Sequence, residues 1–331
     1  METVLRATVW RGSVVEASLS VHVAVACDGD SEQASDGTTT TLRSCVKPLQ
    51  ALVFLRTAAE AVGATAEDIA IACSSHNGEA AHVAAVRSLL QRGGVSEGSL
   101  ACGPQRPTDQ ASADALIAEG LRALPIHNNC SGKHAAMLAA CRVNAWPLEG
   151  YVLFDHPLQS AVRAAMSEFL HVDLDSAPNG VDGCGIPTYG VPLQSVARAF
   201  AEAQRDPAFS RAQSAMASHP HLVAGTGRFD TALLDACGDR VTSKIGGAAV
   251  WAGCVRPDGP GVAVKVEAGA DIAVAPAALA VLRRLGVGPR GGWEGVLGDF
   301  ERPLIHNLSG DVVGELRLDE SGLAAVRPPS L

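Results

Sequence analysis

Leu5-Arg6-Ala7-Thr8-Val9-Trp10, then Arg11-Gly12-Ser13, then the run Val14–Ala26 open the chain. Apolar and β-branched residues alternate or cluster on either side of a glycine turn, the pattern of a β-hairpin. The same signal returns only near the other end, at residues 241–245, 248–255, 261–266 and a last strand pair around 304–318, with a helix predicted over 276–285. Between Cys45 and about Leu234 helical spacing dominates. One helix begins at Leu49 and is closed by Gly63, and a second spans 79–92 and is closed by Gly93-Gly94. Others are predicted over 110–124, 132–141, 157–170, 192–203, 207–217 and 226–236. Strands at both termini around a helical middle imply one antiparallel sheet built from both ends of the chain, with a helical subdomain inserted between. Regular β-α-β alternation is missing, so the expected class is α+β. The expected division is a single catalytic unit over 1–331, with 1–43 and 238–331 as the sheet region and 44–237 as the mainly helical region.

Composition narrows the function classes. With 47% hydrophobic and 18% charged residues over 331 positions, the chain has ample material for a core and is not disordered. A net charge of −9 and no basic run exclude nucleic acid and an anionic membrane surface as expected partners. The apolar stretch 272–282 is too short to span a bilayer and contains Pro276. The start, Met1-Glu2-Thr3-Val4-Leu5-Arg6, lacks the positive region and apolar block of a signal peptide, so the expected location is cytoplasmic. Nine cysteines, an odd number, then read as reduced thiols or metal ligands rather than a disulfide framework. Of 26 basic residues only four are lysine: Lys47, Lys133, Lys244 and Lys265. Where a chain otherwise uses arginine, a surviving lysine is a candidate for work that needs a neutral amine.

Arg43-Ser44-Cys45-Val46-Lys47-Pro48 holds an S-x-x-K at a predicted helix start. Three residues apart on a helix are neighbours on one face, so the amine can reach and activate the hydroxyl. By itself the motif equally describes a helix cap followed by a solvated lysine. Thr242-Ser243-Lys244-Ile245-Gly246-Gly247 places a cation and exposed N–H groups on a strand, or is simply a hairpin turn. In Ala72-Cys73-Ser74-Ser75-His76-Asn77-Gly78-Glu79, a strand-like segment leads into a helix; Ser75 or His76 is a second catalytic candidate, or the polar residues cap that helix. The polar cluster His127-Asn128-Asn129-Cys130-Ser131-Gly132-Lys133-His134 and the later Val181-Asp182-Gly183-Cys184-Gly185 suggest zinc. Bare chemistry favours Cys130, Cys184 and either His134 or His127 as ligands. Cys27, Cys102, Cys141, Cys237 and Cys254 read as buried small hydrophobes.

Taken in order, Arg43–Gln50, Cys73–His76, Asn129–His134, Gly180–Pro187 and Ser243–Gly246 resemble the rhizobial, thermolabile type of L-asparaginase, class 3 of that activity, over roughly residues 5 to 320. The resemblance implies a fold similar to serine β-lactamases and glutaminases. It implies two Ser–Lys tandems, Ser44 with Lys47 and Ser75 with Lys244, although Lys265 lies on the next strand. It also implies a zinc site of Cys130, Lys133 and Cys184 with Asp182 beside it, which displaces the histidines. The expected reaction is hydrolysis of L-asparagine to L-aspartate and ammonia, with Ser44 as first choice of nucleophile, zinc and Asp182 orienting substrate, and Arg43, His134 and Arg228 as candidates for its α-carboxylate. A homodimer is expected from the family. Two readings from other classes stand beside this one: another Ser–Lys acyl hydrolase on the same fold (a glutaminase, peptidase, esterase or β-lactam-reactive enzyme), and a non-catalytic zinc-containing amino-acid binding protein.

Overall fold

Inward-facing Leu5, Ala7 and Val9 alternate with outward residues along the strand Glu2–Arg11, and a two-residue turn with Gly12 at φ +55° returns the chain as Val14–Ala26. This hairpin is the middle of a seven-stranded sheet in the computed structural model, which describes residues 1–27, 37–288, 295 and 297–326. The parts of the expected sheet region at 28–36, 289–294, 296 and 327–331 lie outside the described residues. Every adjacent pair is antiparallel, in the order Val241–Gly246, Val250–Val255, Gly261–Val266, Val14–Ala26, Glu2–Arg11, Val312–Asp319, Leu304–His306. The N-terminal hairpin is thus flanked on both sides by strands from the C-terminal quarter, and the class is α+β.

The chain forms two compact units. The first comprises Met1–Cys45, Val191–Gln204 and Ala232–Leu331. It holds the sheet and two helices packed on it, Leu193–Glu202 and Val274–Arg284, whose inward residues include Val196, Phe200, Leu279 and Leu282. Strands Val250–Val255 and Gly261–Val266 are apolar along nearly their whole length and buried along nearly all of it. Trp251, fully buried, donates its indole N–H to Ser243 Oγ at 2.9 Å.

The second unit, Val46–Gly190 with Arg205–Thr231, is mainly helical. Its centre is Ser131–Val143, in which every residue from Ser131 to Cys141 is buried, surrounded by Leu52–Thr57, Ala66–Ala72 and Ala80–Arg92. A short antiparallel pair, Asn179–Val181 with Pro187–Pro192, carries the loop that contains Cys184.

Three sequence expectations change here. Ser44 lies in a 3₁₀ turn, Arg43–Val46, and the α-helix starts only at Lys47, because Pro48 suits a first helical turn and no later position. The predicted helix from Leu49 to Gly63 is two short ones, Lys47–Gln50 and Leu52–Thr57. The strand-like segment before Ser75 is instead the end of helix Ala66–Ala72. Thr65 Oγ1 accepts the Asp68 N–H while the Asp68 carboxylate accepts the Thr65 N–H, a capping box that outweighs the β preference of the isoleucines. Among the described residues no helix is long and apolar enough to cross a membrane. Trp251→Ala removes the largest side chain of the first unit's core, so it should cost about 3–5 kcal/mol of stability, read as a lowered urea midpoint at unchanged slope.

Candidate active site

The last turn of helix Ala66–Ala72 delivers Cys73 into an extended segment, and that segment is pinned by its backbone: Ser75 N–H to Val223 O at 2.9 Å, His76 N–H to Asn129 O at 3.2 Å and Asn77 N–H to Ala224 O at 2.9 Å. Lys47, with no exposed surface, reaches the same place from the start of its own helix. Its Nζ donates to the Ser74 carbonyl, to Ser75 Oγ at 3.0 Å and to Asn129 O at 3.3 Å. An ammonium has three protons for these three acceptors. A neutral amine has two, which serve the carbonyls, and its lone pair then faces Ser75 Oγ, which becomes the donor. In the neutral state the Ser75 hydroxyl proton lies on the Ser75–Lys47 line, placed to pass to the amine. Burial pushes the Lys47 amine below the ordinary lysine value, against the opposing pull of Cys130.

The metal candidates are built on the central helix. Asn128 Oδ1 accepts the Cys130 N–H at 2.8 Å, and Asn128 Nδ2 donates to Cys102 O and Gly103 O, which sets the turn into Ser131–Val143. A Cβ on Gly132 would collide with the Ile71 carbonyl oxygen, so this glycine lets the central helix approach the one that leads to Ser75. Lys133 Nζ donates to Cys184 Sγ at 3.1 Å, and the Cys130 and Cys184 thiols share a hydrogen bond. That bond, with Cys184 as donor, holds Cys130 well below a normal thiol and raises Cys184, whose burial adds to the rise. Burial opposes the charge on Lys133, but Cys184, Cys130 and then Asp182 outweigh it. Cys130 and Lys133 thus favour each other's charged forms, while burial pushes the Lys47 amine toward its neutral one. Two soft sulfurs and one nitrogen, buried and facing one another, could hold zinc; Lys133 would then give up its proton, which a divalent cation enforces. The histidines favoured by bare chemistry are engaged elsewhere: His134 Nδ1 with the Tyr151 hydroxyl at 2.6 Å, and His127 Nδ1 with the Leu124 N–H at 2.9 Å. His134, fully buried, is held well below the ordinary imidazole value and is a neutral ring.

In the first unit, Arg43, Ser44 and Cys45 lie against the end of the hairpin that carries Lys244. A Cβ on Gly246 would stand 2.8 Å from Cys45 N, and one on Gly247 2.9 Å from an Arg43 Nη. Arg43 has φ +44°, and Ala248 and Ala249 in the hairpin turn have φ +59° and +54°, so strain collects at this point. Lys244 is fully buried and donates to Ile245 O at 2.6 Å, whereas Lys265 Nζ turns to Ala248 O and Val266 O. The structure thus groups Arg43, Ser44 and Lys244 in one unit and Lys47, Ser75, Cys130, Lys133, Asp182, Cys184, His134 and Arg228 in the other. The hydroxyl bonded to Lys47 is that of Ser75, not the Ser44 suggested by the S-x-x-K spacing.

The remaining polar groups of the second unit are structural at first sight. His76 Nδ1 accepts the Gly78 N–H and its Nε2 donates to Ser131 Oγ, so it is not a free base. Glu79, His82 and His221 bring possible ligand atoms within 4.8 Å of one another. Yet the His82 and His221 rings stack at 5.0 Å and 13°, so their in-plane lone pairs do not converge. Both His82 nitrogens also serve the backbone, at Glu79 N and His221 O. Arg228 Nη1 donates to Asn77 Oδ1 at 2.8 Å. Asn77 and Glu79 had no chemical signature in sequence beyond that of a helix start.

A buried Ser–Lys pair is an arrangement that can activate a hydroxyl for acyl transfer. The family model for L-asparaginase II matches residues 7–318, and the chain belongs to that family of hydrolases acting on amides. No match is found among curated proteins. Gly132→Ala, which forces the two helices apart, should lower stability by about 2 kcal/mol or more, measured by thermal unfolding.

Proposed function

We propose that the protein hydrolyses the side-chain amide of L-asparagine to L-aspartate and ammonia, with Ser75 as nucleophile and Lys47 as its general base. The observation that carries this reading is the 3.0 Å contact between Lys47 Nζ and Ser75 Oγ, with two carbonyls taking the other protons of the amine. As Ser75 Oγ bonds to the amide carbon, its proton passes to Lys47. Collapse of the tetrahedral adduct breaks the C–N bond, and ammonia leaves with that proton. Water then attacks the ester carbon, gives its proton to Lys47, and aspartate departs as Ser75 recovers its hydrogen. The family resemblance pairs Ser44 with Lys47 and Ser75 with Lys244, so Ser44 and Lys244 are proposed as further catalytic groups, and Arg43, Asp182, His134 and Arg228 are proposed to hold the substrate. Cys130, Lys133 and Cys184 would bind zinc, which when present supplies a fixed positive charge that orients substrate. The antiparallel sheet with Lys244 on its edge strand Val241–Gly246 supports a serine β-lactamase-like fold, and a cytoplasmic homodimer is proposed with it.

Ammonia release by the purified protein is expected with L-asparagine and not with L-glutamine. Lys47→Met should lower kcat by about 10²–10⁴-fold, and Ser75→Ala should lower it at least as far. A Ser75→Ala variant that keeps its rate while Ser44→Ala is dead would move the nucleophile to Ser44. Release from neither amide would leave another acyl substrate or a binding protein. Metal analysis should find zinc that is lost in Cys184→Ala, and chelation should raise KM more than it lowers kcat.

A further inference from the structure

We infer that Glu79 is a positioning residue that holds Ser75 in register with Lys47 by clamping residues 223–228 onto the segment 74–79. The inference rests on the reading of Ser75 as nucleophile given above. Glu79 closes the helix Ala80–Arg92 as its N-cap, but its carboxylate is occupied by groups from well outside that helix. Oε1 accepts from Thr226 N at 2.8 Å and from Asn77 Nδ2 at 3.2 Å; Oε2 accepts from Thr226 Oγ1 and from His221 Nε2, both at 3.0 Å. One carboxylate thus ties together the residue two beyond Ser75, the loop after Ala224 and the short helix Pro220–Val223. Burial opposes its ionisation, but the hydrogen bonds from Thr226 and Asn77 outweigh burial and keep it charged below the usual glutamate range.

The clamp acts on a short ladder. Among the described residues its rungs are Ser75 N–H to Val223 O and Asn77 N–H to Ala224 O, and both are on the segment that carries the nucleophile. Asn77 is gripped from both ends, since its Oδ1 accepts from Arg228 Nη1 at 2.8 Å and Thr108 Oγ1 at 3.0 Å while its Nδ2 donates to Thr226 O at 3.0 Å. Gly225, at φ +115°, is the residue that permits the closure: a Cβ there would stand 2.5 Å from Glu79 Oε1 and 2.8 Å from Asn77 Nδ2. Lys47 is also held by Asn129 O on a different segment, so a displaced Ser75 changes its distance to the amine. Slack in the ladder therefore becomes misalignment of Ser75 Oγ against its base, and misplacement by about 1 Å costs on the order of 10²-fold in rate.

The test compares the full-length wild type with Glu79→Ala and Glu79→Gln, by steady-state ammonia release from L-asparagine and by amide hydrogen exchange. In Glu79→Ala, kcat should fall about 10²-fold with KM changed by no more than about threefold. Exchange at the Ser75 and Asn77 amides should quicken while that of helix Ser131–Val143 stays as in wild type. Glu79→Gln, which keeps an acceptor for Thr226 N–H, should return kcat to within about tenfold of wild type. Gly225→Ala pries the same contact open from the other side and should show the same kcat-selective loss, which keeps the test available if Glu79→Ala does not fold. The inference is overturned if kcat is unchanged in Glu79→Ala, if only KM moves, or if exchange at Ser75 and Asn77 matches wild type. A wild type that releases no ammonia would sink the asparaginase reading alone, and the exchange data would still decide whether the clamp exists.

Discussion

A lysine amine with no access to water has to be paired or neutral, and Lys47 sets that constraint for the whole second unit. Two carbonyls and a hydroxyl accept from it, and the Cys130 thiol also faces it. The nearest anion source is the Cys130–Cys184 pair, which Lys47 and Lys133 share. Two ammonium groups and one thiolate would leave an uncompensated buried charge, a penalty of several kcal/mol. The arrangement with a neutral Lys47 has none. The packing follows from this balance: a central helix buried on all sides brings Cys130 and Lys133 in, and its approach to the preceding helix at Gly132 brings Ser75 to the amine.

Local order was legible in sequence wherever one signal ruled. Helix Pro157–Leu170 and strands Val14–Ala26 and Gly261–Val266 have the bounds expected from a proline start, an apolar run and flanking turns. The helix Ala66–Ala72 was hidden because Ile69, Ile71 and Cys73 mimic a strand, while the evidence against a strand lay upstream in the Thr65–Asp68 cap. The thiols and scarce lysines drew attention by their chemistry, so the members of the cluster were found although their contacts were not. The partner of Lys47 was not legible. S-x-x-K spacing assumes a continuous helix, whereas the 3₁₀ turn at Arg43–Val46 breaks the assumption and a hydroxyl 28 residues away takes the place. Glu79 was beyond reach for the same reason: its four donors come from residues 77, 221 and 226, which only the fold assembles.

Lysine usage sets these positions apart from the rest of the chain. The chain meets nearly all its need for cations with arginine, yet Lys47, Lys133 and Lys244 are 0%, 3% and 0% exposed. An arginine at position 47 would bring five donors to a pocket built around one amine, and its guanidinium would stay charged at any pH the fold survives. Buried donors without partners cost about 1–3 kcal/mol each, and the charge would upset the balance with Cys130. At position 133 a planar fork cannot match one sulfur acceptor at 3.1 Å, nor can it lose a proton to accept a metal. Unlike arginine, lysine can be either a cation or a neutral donor–acceptor in a dry site, and that is the property positions 47 and 133 call on.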